Sequence, residues 1–154
     1  MKVVISPQAF KGSLTGMEAA RAMAEAVQEV FPGAETVLLP VADGGDGTLQ
    51  TLVEVTGGQF FTSRVTGPLG GPVDAQWGAT GDGRTAIIEM ARASGLVLVP
   101  PDRRDPRITT TYGTGQLINQ ALERGYQRII LGIGGSATND GGAGVAQAVG
   151  YRLL

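Results

Sequence analysis

The chain has 154 residues, 42% hydrophobic and 17% charged, which is enough apolar material for a packed core and too much for a disordered chain. Net charge is −2, no block of like charges occurs and aromatics are 5%, so a nucleic-acid partner, which needs a clustered basic face or stacking platforms, is not expected. Cysteine and histidine are both absent, which excludes disulfides, a Ser-His-Asp triad within this chain and the common zinc sites. No apolar run approaches the ~18 residues of a membrane span, and Met1–Ser6 lacks the apolar core of a signal peptide, so a cytoplasmic location without membrane contact is expected.

What remains for chemistry is carboxylates, hydroxyls, amides, Lys, Arg and backbone N–H groups. That inventory suits hard cations such as Mg2+ and phosphate esters, whose transfer depends on positioning and charge neutralisation. Glycine makes up 25 of the 154 residues, more than double the usual ~7%, and the excess gathers in loops at strand ends.

In chain order, Lys2–Ile5 is a β-branched run that predicts a buried strand, followed by a loop over Pro7–Ser13. Thr15 can cap a helix, with Glu18 at the capping-box position. Met17, Ala20, Ala24, Val27 and Phe31 form its apolar stripe, and Pro32-Gly33 ends it. Thr36–Leu39 predicts a second strand and Thr48–Val55 a second helix, closed by Gly57-Gly58. Residues 1–57 thus read as the first β-α-β-α unit of an α/β domain, Rossmann-like, with parallel strands and ligands at their carboxyl ends. Residues 58–154 read as a mixed β portion followed by an α/β unit, part of a second domain. There Gln59–Thr66, Val73–Gly78 and Thr85–Met90 predict strands whose short turns make them antiparallel neighbours. Pro100–Pro106 is a rigid polar loop, Gln116–Arg124 a helix with Gly125 as C-cap, and Arg128–Ile133 the last strand before the helical run Val145–Val149. Tyr151–Leu154 reads as the beginning of another strand.

The densest signal is Gly132–Gly144, where six of thirteen residues are glycine. Glycines admit close backbone approach, and a following helix points its positive dipole end at a bound anion. Gly134, Gly135, Ser136, Thr138, Asn139 and Asp140 are therefore candidates for holding a sugar acid or a transferring phosphate. A related loop, Ala42–Thr48, precedes the second helix, and both loops carry Asp-Gly-Gly-x-Gly. The repetition predicts that the two converge at one mouth, with Gly44 and Gly45 matching Gly134 and Gly135 in role. Helix capping accounts for Asp46 and leaves Asp43 as the candidate metal ligand or proton acceptor. A turn capped by Asp140 alone would need fewer glycines than stand here.

Other segments are more ambiguous in their residues. Gly132–Ala137 formally matches G-x-G-x-x-G/A, but loop residues continue where a Rossmann turn has already entered its helix, and no Walker A sequence occurs, so a nicotinamide site is not expected. Lys11, one of two lysines, stands beside Gly12 and Ser13, where a point charge and a hydroxyl can meet a phosphate or carboxylate; a solvated surface lysine fits equally well. Thr109–Gly115 either supplies hydroxyls and N–H groups to a ligand or begins a helix. Glu89 faces a cleft or simply pairs with Arg92.

Pro7–Leu14, Ala42–Thr48, Val65–Gly70, Ile88–Ala91 with Ser94-Gly95, Thr111–Gly115 and Gly132–Gly144, in this order, resemble the type 1 glycerate kinases, the bacterial glycerate 2-kinase family. The resemblance runs the length of the chain. It implies two α/β domains facing one cleft, and transfer of the ATP γ-phosphoryl group to a hydroxyl of D-glycerate with Mg2+. By the same resemblance Lys11 and Ser13 would contact substrate or phosphate. Asp43 would hold Mg2+ or accept the glycerate proton, Ser136, Thr138, Asn139 and Asp140 would bind the acid or phosphate, and Lys11, Asp43 and Asp140 would form the catalytic set. Two departures stand out: the family often has Asp-Ser where this chain has Gln8-Ala9, and family members run to more than twice this length. The chain is accordingly expected to be an N-terminal part, with some of the cleft missing and no turnover by itself. The alternative reading is a non-catalytic α/β module that binds an anion or small acid.

Overall fold

A computed structural model describes residues 1–10 and 13–154; Lys11, a candidate site residue, lies outside the described residues. The strands form two sheets. β1 (Lys2–Ile5) pairs in parallel with β2 (Glu35–Leu38). β3 (Gln59–Thr66), β4 (Pro72–Ala79), β5 (Thr85–Glu89) and β6 (Arg128–Gly132) form the second sheet in sequence order. Its first two pairings are antiparallel, as the short turns require, and β5–β6 is parallel. The α/β class with parallel units and a mixed β portion is therefore the architecture observed.

Helix α1 (Gly16–Val30) links β1 to β2, and its capping box forms: Glu18 N–H donates to Thr15 Oγ1 at 3.2 Å, and Thr15 N–H to Glu18 Oε2 at 2.8 Å. Its predicted stripe is buried at Ala20 and half-buried at Met17, Ala24 and Val27, but Phe31 stays exposed past the helix end. Helix α2 (Thr48–Thr56) closes at Gly57 in the left-handed region, φ 63°. Although the sequence groups α2 with the first unit, it lays Leu49 and Val53 against Ile87 of β5, with Leu52 and Phe60 at the margin.

The opposite face of the four-stranded sheet holds the larger core, where Val65, Trp77 and Ile88 pack against Leu117 and Ala121 of α4 (Tyr112–Glu123). Fully buried aliphatics such as Ile87, Ile88 and Leu117 contribute about 1.5–3 kcal/mol each. Helix α4 starts four residues before the Gln116 expected from sequence. Its early turn contains Gly113, whose absent Cβ would stand 1.8 Å from Thr66 O, so close packing on β3 replaces helix propensity there. The short helices α3 (Ala91–Ser94) and α5 (Ala143–Ala148) follow β5 and the Gly132–Gly142 loop. Because β5 and β6 are parallel with Glu89 opposite Gly132, both strands exit at one end of the sheet, where α/β folds place ligands.

Candidate functional site

At that end the two glycine loops meet backbone to backbone. Gly134 N–H donates to Gly44 O at 2.7 Å, and a Cβ on Gly134 would sit 2.5 Å from Gly45 Cα, a collision with main chain that only glycine avoids. Gly44 N–H donates to Thr48 Oγ1 at 3.0 Å and Gly45 N–H to Asp43 Oδ1 at 2.9 Å. Three of the four glycines expected to cradle the substrate thus already donate their N–H groups within the protein. Much of the glycine here serves the approach of one loop to the other.

A hollow of about 450 Å3 opens on this seam, lined by Gln8, Ala9, Phe10, Thr15, Asp43, Gly45, Asp46, Gly47, Gly134 and Gly135. The Asp43 carboxylate is exposed on it. Hydrogen bonds from Gly45 N–H and the Gln8 side chain hold it below the usual carboxylate range. A carboxylate so held is a weak proton acceptor and a good oxygen donor to a hard cation. Ser13 is exposed, and its N–H donates to Phe10 O at 2.9 Å.

Asp140 is placed differently. Its carboxylate accepts from Thr111 N–H and Thr111 Oγ1, both at 2.8 Å, from Gly142 N–H at 3.1 Å and from Gly144 N–H at 3.2 Å. Partial burial works to raise its pKa, but those four bonds together outweigh it and the net shift is downward. Thr111 Oγ1 in turn accepts from Val145 N–H at 3.0 Å. Asp140 and Thr111 therefore tie the start of α4 to the start of α5.

Asp140 lines a second hollow of about 660 Å3, together with Ser136, Thr138, Asn139, Met90, Leu131, Ile133, Val149 and Tyr151 among others. The expected single mouth is thus corrected. The first half of the Gly132–Gly144 loop joins Asp43, and its second half turns to another, more apolar hollow, because Thr111 draws Asp140 away. Ser136 and Thr138 also satisfy each other, with hydroxyl oxygens 2.8 Å apart and Thr138 N–H donating to Ser136 Oγ at 3.0 Å.

The expected anion cradle at helix starts also differs from what is found. α1 is closed by its capping box, α5 by Asp140 and Thr111, and α2 by Glu89. Gly47, the N-cap of α2, offers no side chain, and Leu49 N–H donates to Glu89 Oε2 at 3.1 Å. Gln8 and Thr48 are polar residues with contacts at these loops that the sequence left without a role, while Glu89 and Thr111 had only open alternatives. Glu89 carried a signal, an acid ending an apolar strand; the Thr111–Asp140 pairing spans 29 residues and carried none.

Among the described residues no group of three or more Asp, Glu, His or Cys side chains is placed to hold a metal. Mg2+, which keeps several waters and takes one or two carboxylates plus phosphate oxygens, is compatible with the exposed carboxylate of Asp43, beside which Asp46 also lines the hollow. No helix among the described residues is long and apolar enough to cross a membrane.

Comparison with known proteins gives one consistent result. A model of the glycerate kinase family matches residues 3–154. Glycerate kinase of Bacillus subtilis is 61% identical over the whole chain, and glycerate 2-kinase of Escherichia coli 56% identical over 99% of it. A crystal structure from Salmonella typhimurium, named for glycerate kinase 2, superposes with a TM-score of 0.91 at 54% identity, covering 99% of this chain and 41% of its own. The chain spans about 40% of the length of the curated relatives.

Proposed function

This chain belongs to the glycerate kinase family, and on that premise we propose that it serves transfer of the γ-phosphoryl group of ATP to a hydroxyl of D-glycerate with Mg2+. The observation that carries the reading is the exposed carboxylate of Asp43, held in its charged form at the exit of β2 and facing a hollow that both glycine loops line. We assign Asp43 to holding the cation rather than to taking the substrate proton, since its lowered pKa favours the first role. Bound Mg2+ supplies charge neutralisation for the transferring phosphoryl group.

Lys11 and Ser13 are proposed to meet the phosphate as point charge and hydroxyl. Gly135 and Asn139 keep their proposed substrate roles, whereas the committed N–H groups of Gly44, Gly45 and Gly134 favour a role in shaping the loops. Four donors on one carboxylate support a bracing role for Asp140 in place of substrate contact, and their mutual hydrogen bonds give Ser136 and Thr138 the same character.

The test uses the protein as its gene encodes it, incubated with ATP, Mg2+ and D-glycerate. Phosphoglycerate and ADP are the expected products, and Asp43→Asn is expected to lower kcat by ~10²-fold, the scale of a lost positioning group. No product, or equal rates for the two proteins, would overturn the reading.

A further inference from the structure

Strand β5 ends in an oddity. Its side chains alternate, Ile87 facing α2 and Ile88 the larger core, so the pleat returns Glu89 to the α2 face. An apolar residue would suit that place, yet a carboxylate stands there with 2% exposure. Burying a carboxylate is costly unless hydrogen bonds and charge compensate. The compensation is specific: Leu49 N–H donates to Oε2 at 3.1 Å, and Arg92 Nε stands 3.9 Å from Oε1. Leu49 is the second residue of α2, the position an N-cap side chain normally serves, and the N-cap here is Gly47. Glu89 thus caps α2 from the neighbouring strand. The next residue, Met90, donates its N–H to Gly132 O at 2.9 Å, so the end of β5 also grips the loop after β6.

We propose that Glu89 is a positioning residue for phosphoryl transfer: by capping α2 from β5 it holds the Asp43–Gly47 loop against Gly132–Gly135 and so aims Asp43. The proposal rests on the reading of the Asp43 hollow as the reaction site. Among the described residues the charged groups facing Glu89 are Arg92, from α3, and Asp46, from the loop before α2; burial, with a smaller push from Asp46, raises its pKa, while Leu49 N–H, Arg92 and Gly47 N–H oppose. What the geometry requires of residue 89 is an acceptor at that reach, more than a charge.

Two variants that differ in those respects decide it. Glu89→Gln keeps an acceptor oxygen at full reach and removes the charge; Glu89→Asp keeps the charge and falls short by one methylene. In the protein as its gene encodes it, Glu89→Gln is expected to keep kcat within about threefold. Glu89→Asp is expected to lose about tenfold or more in kcat, as a displaced catalytic group does. Amide hydrogen exchange at Gly47–Leu49 should quicken about tenfold in Glu89→Asp and stay near the unmodified rate in Glu89→Gln. The reverse ranking of the two variants would overturn the proposal, as would loss of kcat with exchange unchanged, or faster exchange with kcat intact. The exchange measurement needs no kinase activity, so an inactive parent protein would count against the functional reading and leave the cap itself still testable.

Discussion

In the loop after β2, Asp43 lies open on its hollow and accepts from Gly45 N–H and the Gln8 side chain. In the loop after β6, Asp140 is turned inward and accepts from four donors on two segments. The two share Asp-Gly-Gly-x-Gly and a position between strand and helix. What separates them is tertiary: Thr111 arrives at Asp140 from the start of α4. Local sequence fixes where a carboxylate is placed, and a partner far along the chain decides whether it braces the fold or meets a ligand.

The contrast breaks most visibly on removal of the carboxylates. Asp140→Ala orphans four donors and is expected to cost about 2–4 kcal/mol in chemical denaturation, while Asp43→Ala leaves the unfolding midpoint essentially unchanged. Equal losses for both would erase the distinction. Gly134→Ala drives a Cβ to 2.5 Å from Gly45 Cα, so the loops must part. A loss of about 1–3 kcal/mol is expected with a drop in kcat, and a neutral result would mean the seam is slack. Thr111→Val removes the hydroxyl that donates to Asp140 and accepts from Val145 N–H, and should cost about 1–2 kcal/mol.

The smallest expected effects are in pH dependence. The pKa of folded Asp140 is lowered, so its contribution is present above the unfolded carboxylate value and is lost as pH falls through the folded one. The stability gap between the unmodified protein and Asp140→Asn should narrow on acidification. Glu89 has the opposite sign: its folded pKa is raised, so the unmodified protein loses stability as pH rises through that value, and Glu89→Gln does not. Thermal unfolding of the three proteins across acid to neutral pH reads both trends, and parallel curves would contradict them.

Much of the fold was legible in residues. The runs Gln59–Thr66, Val73–Gly78, Thr85–Met90 and Arg128–Ile133 marked β3 to β6, the capping box at Thr15 and Glu18 marked α1, and the short turns marked antiparallel neighbours. The start of α4 was hidden because Tyr112-Gly-Thr-Gly115 has a loop's composition, and its glycines answer to β3 and to α5. At the site, the position of Asp43 at a strand end was readable from the motif. The caps were not: Glu89 reaches α2 across 40 residues, and Asp140 reaches Thr111 across 29. Hydrogen bonds of that span leave no local pattern, so the loops looked more open to an anion than they are.

The most direct measurement is the Mg2+ dependence of glycerate phosphorylation for Asp43→Asn and Asp140→Asn, each followed alongside its melting temperature. Asp43→Asn should raise the Mg2+ needed for half-maximal rate by about tenfold or more with melting unchanged, as expected for loss of a carboxylate ligand. Asp140→Asn should melt earlier and keep the Mg2+ dependence of the unmodified protein. An unchanged Mg2+ requirement in Asp43→Asn, or a shifted one in Asp140→Asn, would contradict the assignment of the first aspartate to the cation and the second to the fold.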